Sequence, residues 1–276
     1  MSRDIRPGCP ETRHYPRHHL KPQVRSGAHA PGLLRVGVFA ARVVPYTRLG
    51  RFRSVRELDH VSAARAVYDA SAEEYARRVG IDVSAAFEGP VDRAFLAAFV
   101  EFVGLSAGLV ADVGCGPGRV AAWLTAHGLD VVGVDVSHAM LTAAWGAHPD
   151  IRFAEGRLSA LPFEDGSLVG AVCWYSIIHT PPEHLREVFS ELQRVLSDGG
   201  HLLVAFQAGE GEAVHRTDAY GTGLSLTHFR HCPEEVARSL VEAGLRPHAQ
   251  AVRDPELDHE STPQAFIIAR NVEPGR

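Results

Sequence analysis

Three glycines, Gly114, Gly116 and Gly118, fall within five positions of the stretch VADVGCGPGRV (Val110 to Val120), behind a short apolar run and ahead of a helix-like one. Glycine lets a chain turn sharply and lets a large group approach its backbone. A helix opening at such a turn aims its first amides and its dipole at that group, which suits a nucleoside-bearing cofactor. Asp135 ends the apolar run that starts at Val131, 23 positions after Asp112, the place from which a carboxylate accepts both hydroxyls of a ribose. The dinucleotide fingerprint G-x-G-x-x-G is not met, because Arg119 stands where its third glycine belongs. Asp112 lies two positions before the first glycine and would repel a pyrophosphate; it suits a cofactor carrying positive charge, such as an ammonium and a sulfonium. Plainer uses remain open, a tight turn for Gly116 and Gly118 and a helix cap for Asp112. A second candidate group is His179 in CWYSIIHTPP, between apolar residues and a Pro-Pro corner. Its imidazole titrates near neutrality and can take a proton, or it can cap the next helix or bond to backbone.

Alternating elements must position these residues. From Glu57, LDHVSAARAVYDASAEEYARRV places Val61, Ala64, Val67, Tyr68 and Tyr75 near one side of a helix, and a second helix is expected from Val91 to Val103 after Pro90. Strands are expected at Leu109 to Val113, Asp130 to Val134, Ile151 to Ala154, Leu168 to Trp174 and His201 to Phe206. Helices are expected between them, at Val120 to His127, Ser137 to Gly146 (capped by Ser137) and Glu183 to Leu196. A helix at Pro233 to Ala243 and two strands, near Arg246 to Val252 and Gln264 to Arg270, close the series. Strands apolar on both faces and separated by helices imply an α/β, doubly wound, Rossmann-like sheet covered on both sides.

Charge divides the chain. Residues 1–56 hold twelve of the 28 basic side chains and only Asp4 and Glu11 among the acids; residues 57–276 carry sixteen against thirty-one, a balance of −15. The first stretch is expected to be a basic, mostly disordered extension and the second the functional domain. A nucleic-acid partner is not expected, since the domain is acidic. The spacing of His14, His18 and His19 sits among helix breakers, and the four cysteines form no CxxC pair, so no metal is expected. No run approaches the ~18 apolar residues of a membrane span, and no secretory core is visible, so a cytoplasmic protein with no membrane partner is expected. Nothing indicates an oligomeric state.

VADVGCGPG, VVGVDVS, FAEGRLSALPFEDGSL, CWYSIIHTPP and ELQRVLSDGGHLLV, in that order, resemble the motifs of the class I S-adenosylmethionine-dependent methyltransferases, in particular their small-molecule branch. The resemblance runs over roughly residues 57 to 271 and implies a seven-stranded sheet with its last strand antiparallel. It also implies roles. Gly114, Gly116 and Gly118 would pass under the methionine part, Asp112 would hold its ammonium through water, and Asp135 would take the ribose hydroxyls. Val136 and Met140 would flank the adenine, Gly156, Arg157 and Leu158 would border its polar edge, and the backbone near Trp174 would help hold the amino group. Many relatives have an aspartate where this chain has Arg157, which cannot accept from the adenine amino group, and another where it has Val169.

The reaction implied is transfer of a methyl group from S-adenosylmethionine to an O, N or C atom of a small-molecule acceptor, plausible for a secondary metabolite. The alternative is a protein of this fold that binds the cofactor without methyl transfer, as a regulator or a non-methylating catalyst. His179 is the candidate base, and Tyr175 could face donor or acceptor. Tyr68 and Tyr75 resemble the family's helical lid, where tyrosines approach the cofactor carboxylate. The polar stretch from Gln207 to Arg230 resembles an insertion over the acceptor pocket. There His215, Arg216, Tyr220, His228 and Arg230 could bind a polar or anionic substrate.

Overall fold

The computed structural model describes residues 59–104 and 106–272; the expected basic extension over residues 1–56 lies outside them, as does the helix start at Glu57. Two helices open the domain, α1 (Asp59–Val79) and α2 (Pro90–Val103), the second with Pro90 in its first turn, where a missing N–H does no harm. The alternation follows: β1 (Leu109–Val113), α3 (Arg119–Ala126), β2 (Asp130–Asp135), α4 (His138–Ala147), β3 (Arg152–Glu155), β4 (Leu168–Trp174), α5 (Leu185–Val195) and β5 (Leu196–Gln207). After a short hairpin, β6 (Ala213–Arg216) and β7 (Leu226–Phe229), come α6 (Pro233–Glu242), β8 (Leu245–Arg253) and β9 (Gln264–Asn271).

Seven strands form one sheet in the order β3-β2-β1-β4-β5-β9-β8, and β9 runs antiparallel to both its neighbours. All five residues of β1 are buried because both faces are covered. On one face Leu109, Ala111 and Val113 join Phe189 and Leu192 of α5 and Val236 and Leu240 of α6. On the other, Val110 joins Leu96 and Phe99 of α2 and Leu124 of α3. The period-2 pleat therefore turns Asp112, two residues from Val110, toward the α3 side.

One expectation is corrected. β5 begins at Leu196, five residues before His201, because Leu196 pairs with Leu168 before an irregularity across Ser197–Gly200. The stretch from Gln207 to Arg230 contains a hairpin; its β6 is exposed at three of four positions, so no hydrophobic alternation announces it. Ala219 and Leu226 of this insertion pack on Ala64 and Val67 of α1, which ties the first helix to the C-terminal edge of the sheet. Among the described residues, no helix is long and apolar enough to cross a membrane.

Candidate functional site

Local chemistry builds the turn after β1. Gly114, Gly116 and Gly118 have φ of 78°, 53° and 85°, in the left-handed region that side-chain-bearing residues resist. The Gly114 amide bonds to Val134 O at 2.7 Å, and a Cβ on Gly114 would lie 2.3 Å from Cβ of Ser176, so the chain after β4 passes directly against it. At Gly118 a Cβ would meet the Phe153 ring at 2.9 Å. Gly116 differs: a Cβ there would find only the Tyr75 ring, at 3.9 Å. Its glycine leaves space on the side of the turn that Tyr75 overlooks.

Asp135 closes β2 and accepts from Gly116 N at 2.8 Å and Ser137 N at 2.9 Å, one to each carboxylate oxygen. Burial pushes its pKa up, against the lowering pull of the Ser137 and Gly116 amides. Ser137 is the α4 cap that was expected, accepting from Met140 N at 3.1 Å. Its hydroxyl also donates to Asp69 of α1 at 2.7 Å. Asp112 accepts from Ala121 N in the first turn of α3 at 2.9 Å, while its other oxygen, Oδ1, is buried without a partner. The capping use thus describes one oxygen only. Burial raises the Asp112 pKa to about 7.

Beyond β4 the chain turns at Tyr175, which adopts φ 57°, a strained value for a residue with a side chain, while its amide bonds to Ala205 O at 2.9 Å. Trp174 stands edge-on to Tyr175 and packs on Phe266. Burial pushes the Tyr175 phenol well above its usual range, with the nearby Asp92 charge adding to it. A single 3-10 turn, Ile177–His179, then presents His179. Its Nε2 lies 2.8 Å from the Tyr68 hydroxyl and its Nδ1 3.2 Å from Thr227 O. A carbonyl only accepts, so Nδ1 carries the proton and Nε2 accepts from Tyr68. Burial lowers the imidazole pKa to about 4.

These elements enclose one cavity of about 890 Å³ including its open mouth. Gly114, Gly116, Asp135, Val136 and Met140 form its floor on the β1 and β2 side. Arg157 and Leu158 line it after β3, and Trp174, Tyr175 and His179 after β4. α1 contributes Tyr68 and Tyr75, with Val61 and Ala64 beside them. Three of the expected site residues lie behind the wall. Asp112 is beneath the turn, Gly118 opens α3, and Gly156 donates its amide to Asp135 O at 3.0 Å. Arg157 is held in register by paired backbone bonds with Ala160.

Sequence reasoning missed the far end of the cavity. There His60 of α1 and His184, just before α5, stack at 5.4 Å, with Glu187 at 3.7 Å from His184. No local pattern marks them, since their meeting depends on how α1 crosses the sheet. Of the five polar insertion residues expected at the acceptor, none lines this cavity. Tyr220 alone reaches the lid tyrosines, at 5.9 Å from Tyr68 and 5.5 Å from Tyr75, while His215 bonds to Thr227 and Arg230 to Ser261. Among the described residues, no three His, Cys, Asp or Glu side chains gather as a metal site.

Residues 110–200 match the family model of a methyltransferase domain. The chain is 33% identical over 117 residues to a malonyl-[acyl-carrier protein] O-methyltransferase of Erwinia billingiae, covering 42% of this chain and 45% of that protein. It is 36% identical over 151 residues to the methyltransferase GfsG of Streptomyces halstedii, covering 49% and 52%. The chain thus spans about half the length of the curated relatives it matches. In fold it is similar to the 1,6-didemethyltoxoflavin-N1-methyltransferase of Burkholderia thailandensis, solved with bound 1,6-didemethyltoxoflavin and S-adenosylhomocysteine. The TM-score is 0.59 at 19% identity, over 80% of this chain and 94% of that one.

Proposed function

We propose that this chain, which carries a class I S-adenosylmethionine-dependent methyltransferase domain by family match and by fold, transfers a methyl group to a small-molecule acceptor. One observation carries the reading. The unpartnered Oδ1 of buried Asp112 lies beneath a left-handed glycine turn whose Gly116 borders the same cavity as Asp135. That set suits a cofactor with a cationic end and a ribose, and it gives a pyrophosphate no welcome.

S-adenosylmethionine supplies, when bound, a methyl carbon whose leaving group is a neutral thioether. The protein's part is to hold and align and to exclude water. In this assignment Gly114 and Gly116 make room for the methionine chain, with Gly118 setting the start of α3. Asp112, beneath the turn, holds the ammonium through water, and Asp135 accepts from the ribose hydroxyls. Val136 and Met140 flank the base, and Gly156, Arg157 and Leu158 shape its polar edge through backbone groups. Trp174 and Tyr175 wall the donor end. His179, with both ring nitrogens engaged, orients Tyr68 over the cavity.

Equilibrium titration with S-adenosylmethionine, followed by mass analysis of source-cell metabolites for a +CH2 product, tests the reading. Binding without any such product would favour a non-methylating role, and tight binding of a nicotinamide or flavin in place of the methyl donor would overturn the assignment. His179→Ala is expected to lower turnover at least tenfold while leaving cofactor affinity within about twofold.

A further inference from the structure

With the donor on the floor of the cavity and along the turns after β3 and β4, the far end is left for the acceptor, between the start of α1 and the start of α5. One turn of α1 brings His60, Val61 and Ala64 to that end, and Val188 of α5 adds a second apolar wall. His179, the candidate base read from sequence, has no lone pair to spare: its Nδ1–H meets Thr227 O at 3.2 Å and its Nε2 meets the Tyr68 hydroxyl at 2.8 Å. His184 differs. Its Nδ1 lies 3.7 Å from Glu187 Oε2, and a carboxylate on that side keeps the ring proton on Nδ1 and leaves the Nε2 lone pair to accept. The His60 ring stacks on it at 5.4 Å, 29° from parallel. Two positive rings at that spacing repel, whereas one is favoured by the acids around them, Asp59 of α1 and Glu183 and Glu187 around the start of α5. His179 is a further titratable neighbour of the pair. Burial, then the facing His184, lowers the His60 pKa, so the two rings take up one proton between them.

We propose that His184, backed by Glu187 and stacked on His60, is the base that takes the proton of a phenolic acceptor as the phenol oxygen receives the methyl group. This rests on the methyl-transfer reading above and names its substrate class. A lone pair of the phenol oxygen forms the new O–C bond while the C–S bond of the donor breaks and leaves its electron pair on sulfur. The O–H proton passes to Nε2 of His184, so positive charge moves from sulfur to an imidazolium beside Glu187 and the total is unchanged. The His184 side chain is 37% exposed and that of Glu187 56%, so the proton then leaves to water. A hydroxyl is the acceptor group that needs such a base. A carboxylate brings no proton and meets Glu183 and Glu187. An amine attacks in its neutral form, with its proton already lost to water. Among hydroxyls a phenol lies nearest an imidazole in acidity, at about 10 against about 6.5, and its ring suits the apolar walls at Val61, Ala64 and Val188.

The test uses the full chain saturated with S-adenosylhomocysteine and titrated with 4-nitrophenol, buffered about one unit below the pKa of that phenol and read at its phenolate absorption band. The bound compound is expected to show at least about fivefold more phenolate than the free one. His184→Gln should abolish that gain and Glu187→Gln should at least halve it, both leaving S-adenosylhomocysteine affinity within about twofold. In parallel, S-adenosylmethionine is supplied with pooled phenols, alcohols, amines and carboxylic acids, and the methylated atom is identified by mass spectrometry. Turnover of the phenol that is methylated should fall at least about a hundredfold in His184→Gln. In Glu187→Gln the acid limb of its kcat/KM should move to lower pH by about half a unit, because the imidazolium loses its anionic partner. No gain of phenolate in the wild type, a gain that survives His184→Gln, or cofactor affinity lost in that variant overturns the proposal. So does a pool in which the methyl is found on nitrogen, carbon or a carboxylate, or on no phenol. Failure of S-adenosylhomocysteine itself to bind strikes instead at the methyl-transfer reading.

Discussion

At the scale of single residues, Asp112 couples stability to function. Its folded pKa of about 7 lies well above the ordinary carboxylate value because burial penalises the charge. The folded protein therefore holds this proton more tightly than the unfolded chain. Stability from this group is greatest below about pH 4, declines as pH rises toward 7, and is flat above. The full change is on the order of 4 kcal/mol. Asp112→Asn is expected to raise the melting temperature of the cofactor-free protein at pH 8 but not at pH 5, and to weaken S-adenosylmethionine binding at least tenfold. Calorimetry in buffers of different ionisation heat should register proton release on binding below pH 7, since an ammonium pairs with the carboxylate and not with the acid. Melting temperatures that respond alike at both pH values would show that Asp112 is already ionised.

The glycines separate in the same way. Gly114→Ala places a Cβ at 2.3 Å from Ser176 in addition to the left-handed penalty, so it should lower the melting temperature by several degrees or prevent folding. Gly116→Ala meets nothing closer than 3.9 Å and should cost only about 1–2 kcal/mol of stability while cofactor affinity falls severalfold or more. If thermal melts and cofactor titrations of the two variants gave the same pattern, the turn would be structural throughout.

At the scale of elements, α1 is the cover of the site. Only Ala64, Val67, Ser71 and Ala72 of its 21 residues are buried. Its polar ties to other elements include Asp69, which accepts from Ser137 Oγ and from Ala139 N at 3.2 Å, Arg65, 3.8 Å from Glu155, and Tyr68, which donates to His179. β1 and β4, by contrast, are enclosed by helices on both faces and open only with the whole domain. Backbone amides of α1 are expected to exchange with deuterium at least tenfold faster than those of β1 in the free protein, and to slow on addition of S-adenosylhomocysteine. Asp69→Ala, remote from the reacting atoms, should raise the cofactor dissociation rate severalfold with a melting temperature within a few degrees of wild type. Unchanged exchange in α1 on ligand binding would remove it as a lid.

At the scale of the molecule, charge sets how a ligand arrives. Residues 57–276 carry a formal −15, which favours the approach of a cationic ligand over an anionic one. Raising salt from about 0.02 to 0.3 M shortens the Debye length from roughly 20 to 6 Å and should reduce the association rate of a cationic probe severalfold. The association rate of its uncharged isostere should stay constant in the same stopped-flow series. Equal salt dependence for both would mean that the acidic balance is spread away from the cavity mouth.

What could be read from the chain alone was local in space as well as in sequence. The turn at Gly114 to Gly118, the acid at the end of β2 and the Ser137 cap each depend on residues within a few positions, and apolar runs alternating with helical periods determine a covered parallel sheet. Tertiary structure decided what the cavity can do. Tyr68 and His179 meet across 111 positions, Tyr220 reaches them from a hairpin that no alternation announced, and Asp112 has one oxygen capped and the other stranded. The physical reason is that a side chain's free lone pairs, charge state and partners depend on what other elements pack against it. Those contacts exist only once α1 and the insertion lie across the ends of the strands.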